Sequence, residues 1–138
     1  MSSFKTLIVE DNFSFRQTLL EILARRFPMM WIEEAGNGEE ALRKIDLQVP
    51  DLIFMDIKLP GENGLQLTKK IKTKYPKVVV TILTSYDLPE YREAGYRYGA
   101  NHFIAKGSST NEEILSLVES IIEDSGFAAD CSKKGNSP

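Results

Sequence analysis

This chain has little that could staple, anchor or spread a basic grip. It holds one cysteine, Cys131, in 138 residues, so no disulfide can close within it. That usage fits a reducing compartment. No apolar run approaches the roughly 20 residues that cross a bilayer. The opening MSSFKTLIVED lacks the long apolar stretch and small-residue cleavage site of a secretory signal. A formal net charge of −3 provides no basic face for holding DNA or an anionic membrane nonspecifically. These absences lead us to expect a cytoplasmic protein that binds neither nucleic acid nor membrane on its own. What remains is ordinary for a folded domain: 42% of residues are hydrophobic and 27% are charged. The length suits one domain able to bury a core without staples.

Short apolar runs alternate with segments of helical period, five times over. Thr6–Val9 reads as a buried strand. Over Ser14–Phe27, residues Phe15, Leu19, Ile22 and Leu23 share a helical face, and Pro28 stops it. Met30–Ile32 is a weaker strand. Asn37 can cap a helix through Ile45, with Glu39 and Glu40 suiting its dipole. Leu52–Met55 is the clearest central strand. A helix near Gly64–Tyr75 leads into the β-branched run Val78–Leu83. Pro89 opens a fourth helix that ends near Gly99, and His102–Ala105 is the last strand. Ser109-x-x-Glu112 reads as a capping box before a stripe of Ile114, Leu117, Val118, Ile121 and Ile122. The order βαβαβαβαβα, with strands apolar throughout, predicts an α/β fold: a doubly wound parallel sheet with helices on both faces. Residues 1–125 read as one domain and 126–138 as a polar tail or the start of an interdomain linker.

In such a sheet, ligands bind beyond the carboxyl ends of the strands. Strand one ends in Glu10-Asp11, strand three in Asp56, strand four in Thr84-Ser85 and strand five in Lys106. Any one of these alone is explained by a chain leaving the core. Together they place acids, a hydroxyl and an amine at one edge. Three carboxylates there would repel one another unless positive charge lies between them. A hard divalent ion such as Mg²⁺ supplies it, and Lys106 supplies more.

The segments Leu7-Ile8-Val9-Glu10-Asp11, Asp51 to Gly64, Thr84-Ser85 and Gly99-Ala100-x-x-Phe103-x-x-Lys106 resemble, in that order, the receiver domains of two-component response regulators. The likeness runs from Thr6 to about Ser125. It implies a flavodoxin-like (βα)5 fold with strand order 2-1-3-4-5. It also implies phosphorylation of Asp56 by a sensor histidine kinase or a small acyl phosphate. By resemblance, Glu10, Asp11, Asp56 and the Lys58 backbone carbonyl hold Mg²⁺. Lys106 and the Thr84 hydroxyl bind phosphoryl oxygens, so Asp56, Lys106 and Thr84 form the reacting set. Thr84 and Phe103 form the switch, and Lys58 and Tyr86 flank the phosphate and set its lifetime. The output face is the fourth helix, fifth strand and fifth helix, and a phosphorylation-enhanced homodimer is one expected readout. Such a domain is a switch, not an enzyme beyond its own phosphotransfer and autodephosphorylation.

Some positions depart from the commonest pattern. Lys106-Gly107-Ser108 stands where many receivers have Lys-Pro, and it resembles receivers that precede a helix-turn-helix DNA-binding domain. Phe103 lacks the hydroxyl of the frequent tyrosine. Pro60, Gly61 and Gly64 are expected to shape a tight loop only. Tyr86, Tyr91, Tyr96 and Tyr98 divide between core packing and a partner surface. His102 is poorly placed for a phosphohistidine carrier, being at the start of a strand. A haloacid-dehalogenase-type phosphatase would need an Asp at position 58, which is Lys58. A receiver that works unphosphorylated is disfavoured by the intact acidic, Thr and Lys set. No second domain fits after Ser125, so we expect a stand-alone receiver or the amino-terminal piece of a longer regulator. The linker-like tail favours the latter.

Overall fold

A computed structural model describes residues 3–126. Five strands alternate with five helices: β1 (Lys5–Val9), α1 (Phe13–Arg26), β2 (Trp31–Ala35), α2 (Gly38–Leu47), β3 (Leu52–Met55), α3 (Gly64–Lys74), β4 (Val79–Thr84), α4 (Pro89–Arg97), β5 (His102–Ala105) and α5 (Asn111–Ser125). Two further two-residue strands, Lys58–Leu59 and Glu62–Asn63, pair antiparallel in the loop between β3 and α3, while these five form one parallel sheet in the order β2-β1-β3-β4-β5. This is the doubly wound arrangement expected. Side chains alternate between its faces. Ile8, Phe54 and Leu83 meet α1 and α5 through Leu19, Leu23, Ile114 and Val118. Leu7, Val9, Ile53 and Met55 meet α2 and α3 through Ala41, Ile45, Leu67 and Ile71. A third cluster, Ile57, Leu65, Ile82, Ala100 and Phe103, lies under α4. Among the described residues no helix is long and apolar enough to cross a membrane.

Several boundaries moved, for identifiable reasons. α1 stops at Arg26 and α3 at Lys74, one residue before the predicted ends. Phe27 and Tyr75 each precede a proline, whose ring drives the preceding residue out of the helical region; both have φ near −129 and ψ 75. β2 is longer than the apolar run Met30–Ile32, because β1 pairs with it residue by residue from Lys5↔Trp31 to Val9↔Ala35. Glu33 and Glu34 are thereby drawn into an edge strand. The capping box is Thr110-x-x-Glu113, not Ser109-x-x-Glu112. Both stretches fit the pattern, but the Ser109 N–H donates to the Ala105 carbonyl and commits that residue to the preceding turn. Asn37 caps α2 as expected, accepting from the Glu40 N–H. The tail and Cys131 lie outside the described residues, apart from Gly126, which ends α5 in the left-handed region at φ 94.

Candidate functional site

The ends of β1, β3, β4 and β5 converge as the polar pattern requires. β3 lies between β1 and β4, so Asp56 leaves the centre of the sheet with the β1 acids on one side and Thr84 on the other. Its N–H donates to the Val9 carbonyl at 3.1 Å, continuing the β1–β3 ladder one step past the strand. Carboxylate oxygens of Glu10, Asp11 and Asp56 lie within 4.8 Å of one another. Glu10 and Asp56 are buried and Asp11 is exposed. Lys106 reaches across from the end of β5, with Nζ 2.5 Å from Glu10 Oε1 and 3.4 Å from Asp56 Oδ2. Its own N–H bonds the Thr84 carbonyl at 2.8 Å, which ties β5 to β4 beside the acids. The remaining carboxylate oxygens are partly used. Glu10 Oε2 accepts from the Asn12 N–H, and Asp56 Oδ1 from the Ile57 N–H. Burial pushes the Glu10 carboxyl above the usual range, against the Lys106 and Asn12 hydrogen bonds, and the Asp56 charge adds to the rise.

This donor set suits a hard divalent cation. It offers oxygens only, with three carboxylates close enough to share one ion and one of them open to water. A single ammonium does not balance three carboxylates, so the cluster keeps a net negative charge of the right sign.

The other predicted residues surround this centre. Thr84 is fully buried, and its hydroxyl accepts from the Tyr86 N–H at 3.3 Å. Lys58 and Tyr86 meet: the ammonium is 5.2 Å from the ring centroid, and Tyr86 packs edge-on against Tyr91. Phe103 is turned inward and buried. Arg92 covers it, 4.7 Å above the ring, and also bonds the Phe103 carbonyl and Asp87. The tyrosines split. Tyr91 and Tyr98 pack against the cluster under α4, whereas Tyr86 and Tyr96 are exposed.

Two residues matter more than their sequence context suggested. Gly64 was expected only to ease a turn after Asp56. A Cβ there would stand 1.9 Å from the Asp56 carbonyl oxygen, and the Gly64 N–H already donates to Ile57 at 2.7 Å. Only glycine lets α3 begin against the backbone of the central Asp. Arg16 went unnoticed as one more charge on α1. Its guanidinium joins the Glu10 carbonyl to Glu34 at the end of β2, so it braces the loop that carries the β1 acids. Its place one turn into the helix after Glu10-Asp11 was the only available hint.

The fold and its acid–lysine centre define a doubly wound α/β domain with an oxygen-donor cluster at the carboxyl edge of its sheet. Comparison with known proteins agrees. Residues 6–119 match the family described as response regulator receiver domain, and the chain belongs to that family. It is 34% identical over 118 residues to the oxygen regulatory protein NreC of Staphylococcus carnosus, covering 85% of this chain and 54% of that protein. It is 36% identical over 92 residues to the uncharacterized transcriptional regulatory protein YesN of Bacillus subtilis, covering 67% and 25%. The chain thus spans about half of one relative and a quarter of the other. Among solved structures, the receiver domain of NtrX from Brucella abortus aligns with a TM-score of 0.78 at 28% identity, over 86% of this chain and 98% of that one.

Proposed function

We propose that this receiver domain accepts a phosphoryl group on Asp56 and uses it to bias the α4–β5–α5 face. The observation that carries the reading is the Lys106 ammonium held over Glu10 and Asp56 beside an acidic cluster that needs a cation. Glu10, Asp11 and Asp56, with the Lys58 carbonyl, would hold Mg²⁺. When bound, that ion neutralises the carboxylates and the phosphoryl oxygens. An Asp56 Oδ attacks phosphorus in line. The P–N bond of a kinase phosphohistidine, or the P–O bond of an acyl phosphate, breaks, and imidazole or carboxylate departs with the electron pair. Lys106 pairs with one phosphoryl oxygen, and the Thr84 hydroxyl donates to another. Positioning and charge carry most of such a reaction.

Thr84 turning toward the phosphate would break its bond from the Tyr86 N–H and shift the β4–α4 loop. The inward Phe103 and its Arg92 cover lie on that path. Lys58 and Tyr86 would govern how long the phosphate survives. The family match and the YesN kinship support a sensor histidine kinase as donor. The transcriptional regulator among the relatives supports an output in transcription, through a DNA-binding domain beyond this chain; 126–138 as its linker and phosphorylation-enhanced self-association complete the reading.

Incubation with acetyl phosphate and Mg²⁺ should add one phosphoryl group by intact mass. Asp56→Asn or chelation should abolish it. Undiminished labelling of Asp56→Asn would overturn the assignment.

A further inference from the structure

Lys106 has a neighbour that the receiver pattern does not assign. Its Nζ stands 4.3 Å from the centroid of the Phe15 ring. The negative face of an aromatic ring attracts a cation, and the attraction grows as water is removed. Here the lysine side chain is 16% exposed, so much of its shell is already gone. Both partners are held independently. Asn12 caps α1 by accepting the Phe15 N–H at 2.9 Å, and the ring packs against the cluster of Ile8, Leu19, Phe54 and Leu83. Lys106 is fixed from the other side through its backbone bond to Thr84.

The anionic partners of this ammonium are shared. Glu10 and Asp56 hold Lys106, and both belong to the cluster that suits a divalent cation. A cation that takes their oxygens weakens what keeps the ammonium in place before a phosphoryl group arrives to pair with it. The Phe15 ring does not compete, because a hard cation takes oxygen ligands and ignores an aromatic face. We infer that Phe15 is a positioning residue: its ring keeps the Lys106 ammonium over Asp56 while the carboxylates are engaged elsewhere. This rests on Asp56 being the phosphoacceptor.

The competing role for Phe15 is packing alone. Mono-, di- and trifluorophenylalanine at position 15 separate the two, since fluorine drains the ring face and largely preserves its shape. In the full chain, phosphorylation by acetyl phosphate at saturating Mg²⁺, and beryllofluoride affinity, should fall stepwise along the series. The loss should reach about tenfold at the trifluoro ring. Melting temperatures should stay together. Phe15→Leu should lose as much as the trifluoro ring, and Phe15→Tyr should retain activity. The Lys106 Cε protons should carry an upfield ring-current shift that Phe15→Leu removes. Rates and affinities that do not change along the fluorine series would overturn the inference even if Phe15→Leu were impaired. A chain that takes up neither phosphoryl group nor beryllofluoride with natural Phe15 would overturn the Asp56 reading, and this inference with it. That outcome is distinguishable, because the ring-current shift would survive.

Discussion

Thr81 sits in the middle of β4 with no exposed surface, and its hydroxyl finds no hydrogen-bond partner among the described residues. A buried unpaired hydroxyl loses its water bonds without replacement. Valine has nearly the same shape and no such cost. Thr81→Val should therefore raise stability by about 1 kcal/mol, seen as a higher urea midpoint at constant slope. A lower midpoint would mean that the hydroxyl is satisfied, for example by a buried water. The contrast with Thr84 three residues on is instructive. It is equally buried, yet its hydroxyl is engaged by the Tyr86 N–H beside the acidic cluster. Chemical type does not separate the two threonines in the sequence; position relative to the carboxyl edge does.

At the scale of elements, the two helices that flank Lys106 are built very differently. α5 opens on a full capping box, with Thr110 accepting the Glu113 N–H and Glu113 accepting the Thr110 N–H. α4 begins at Pro89 after Leu88, which provides no side-chain cap, and its one buried residue is Gly95. A Cβ on Gly95 would press on Ile82 at 2.9 Å and Phe103 at 3.3 Å, so the glycine seats the helix close to the sheet. One buried residue and an uncapped start make α4 easier to displace than α5, which buries Ile114, Val118, Ile121 and Ile122 behind a full cap. α5 should depend on its cap: Thr110→Ala should cost about 1 kcal/mol, whereas Ser109→Ala should stay within about 0.5 kcal/mol. Denaturant unfolding of the two variants checks this, and equal losses would contradict the cap position. From the sequence the cap was expected one residue early, at Ser109-x-x-Glu112. The turn after β5 decided its position, and that turn depends on Lys106 being tied to β4.

For the whole molecule, the acidic centre sets stability against function. Burial raises the Glu10 carboxyl pKa above its ordinary value. The sign follows from linkage: a raised acid favours folding while protonated, below the ordinary carboxyl pKa. It loses that contribution as pH rises through the raised folded value. Above the raised folded value the ionised Glu10 is thus a standing cost that a bound cation would relieve. Glu10→Gln should raise the melting temperature in chelator and reduce the further rise on adding Mg²⁺. A lower melting temperature in chelator would show that the Lys106 pair outweighs burial. An undiminished Mg²⁺ response would remove Glu10 from the metal set.

The alternation of apolar runs and helical stripes determined that five strands and five helices would form. The polar residues ending four of the strands determined at which edge acids, a hydroxyl and an amine would gather. Those signals are local, since side-chain period and strand-end polarity are set within a few residues. The receiver motif added the roles. The length of β2 came from pairing with β1, because a backbone ladder recruits charged residues that no hydrophobic pattern marks. The same holds for the Arg16 brace, the Phe15 ring beside Lys106, and the glycine pressed on the Asp56 carbonyl. Lys106 and Glu10 are 96 positions apart in the chain and 2.5 Å apart in space. Only the folded sheet brings them together, because strand order, unlike strand identity, is decided by how the whole set of helices covers both faces.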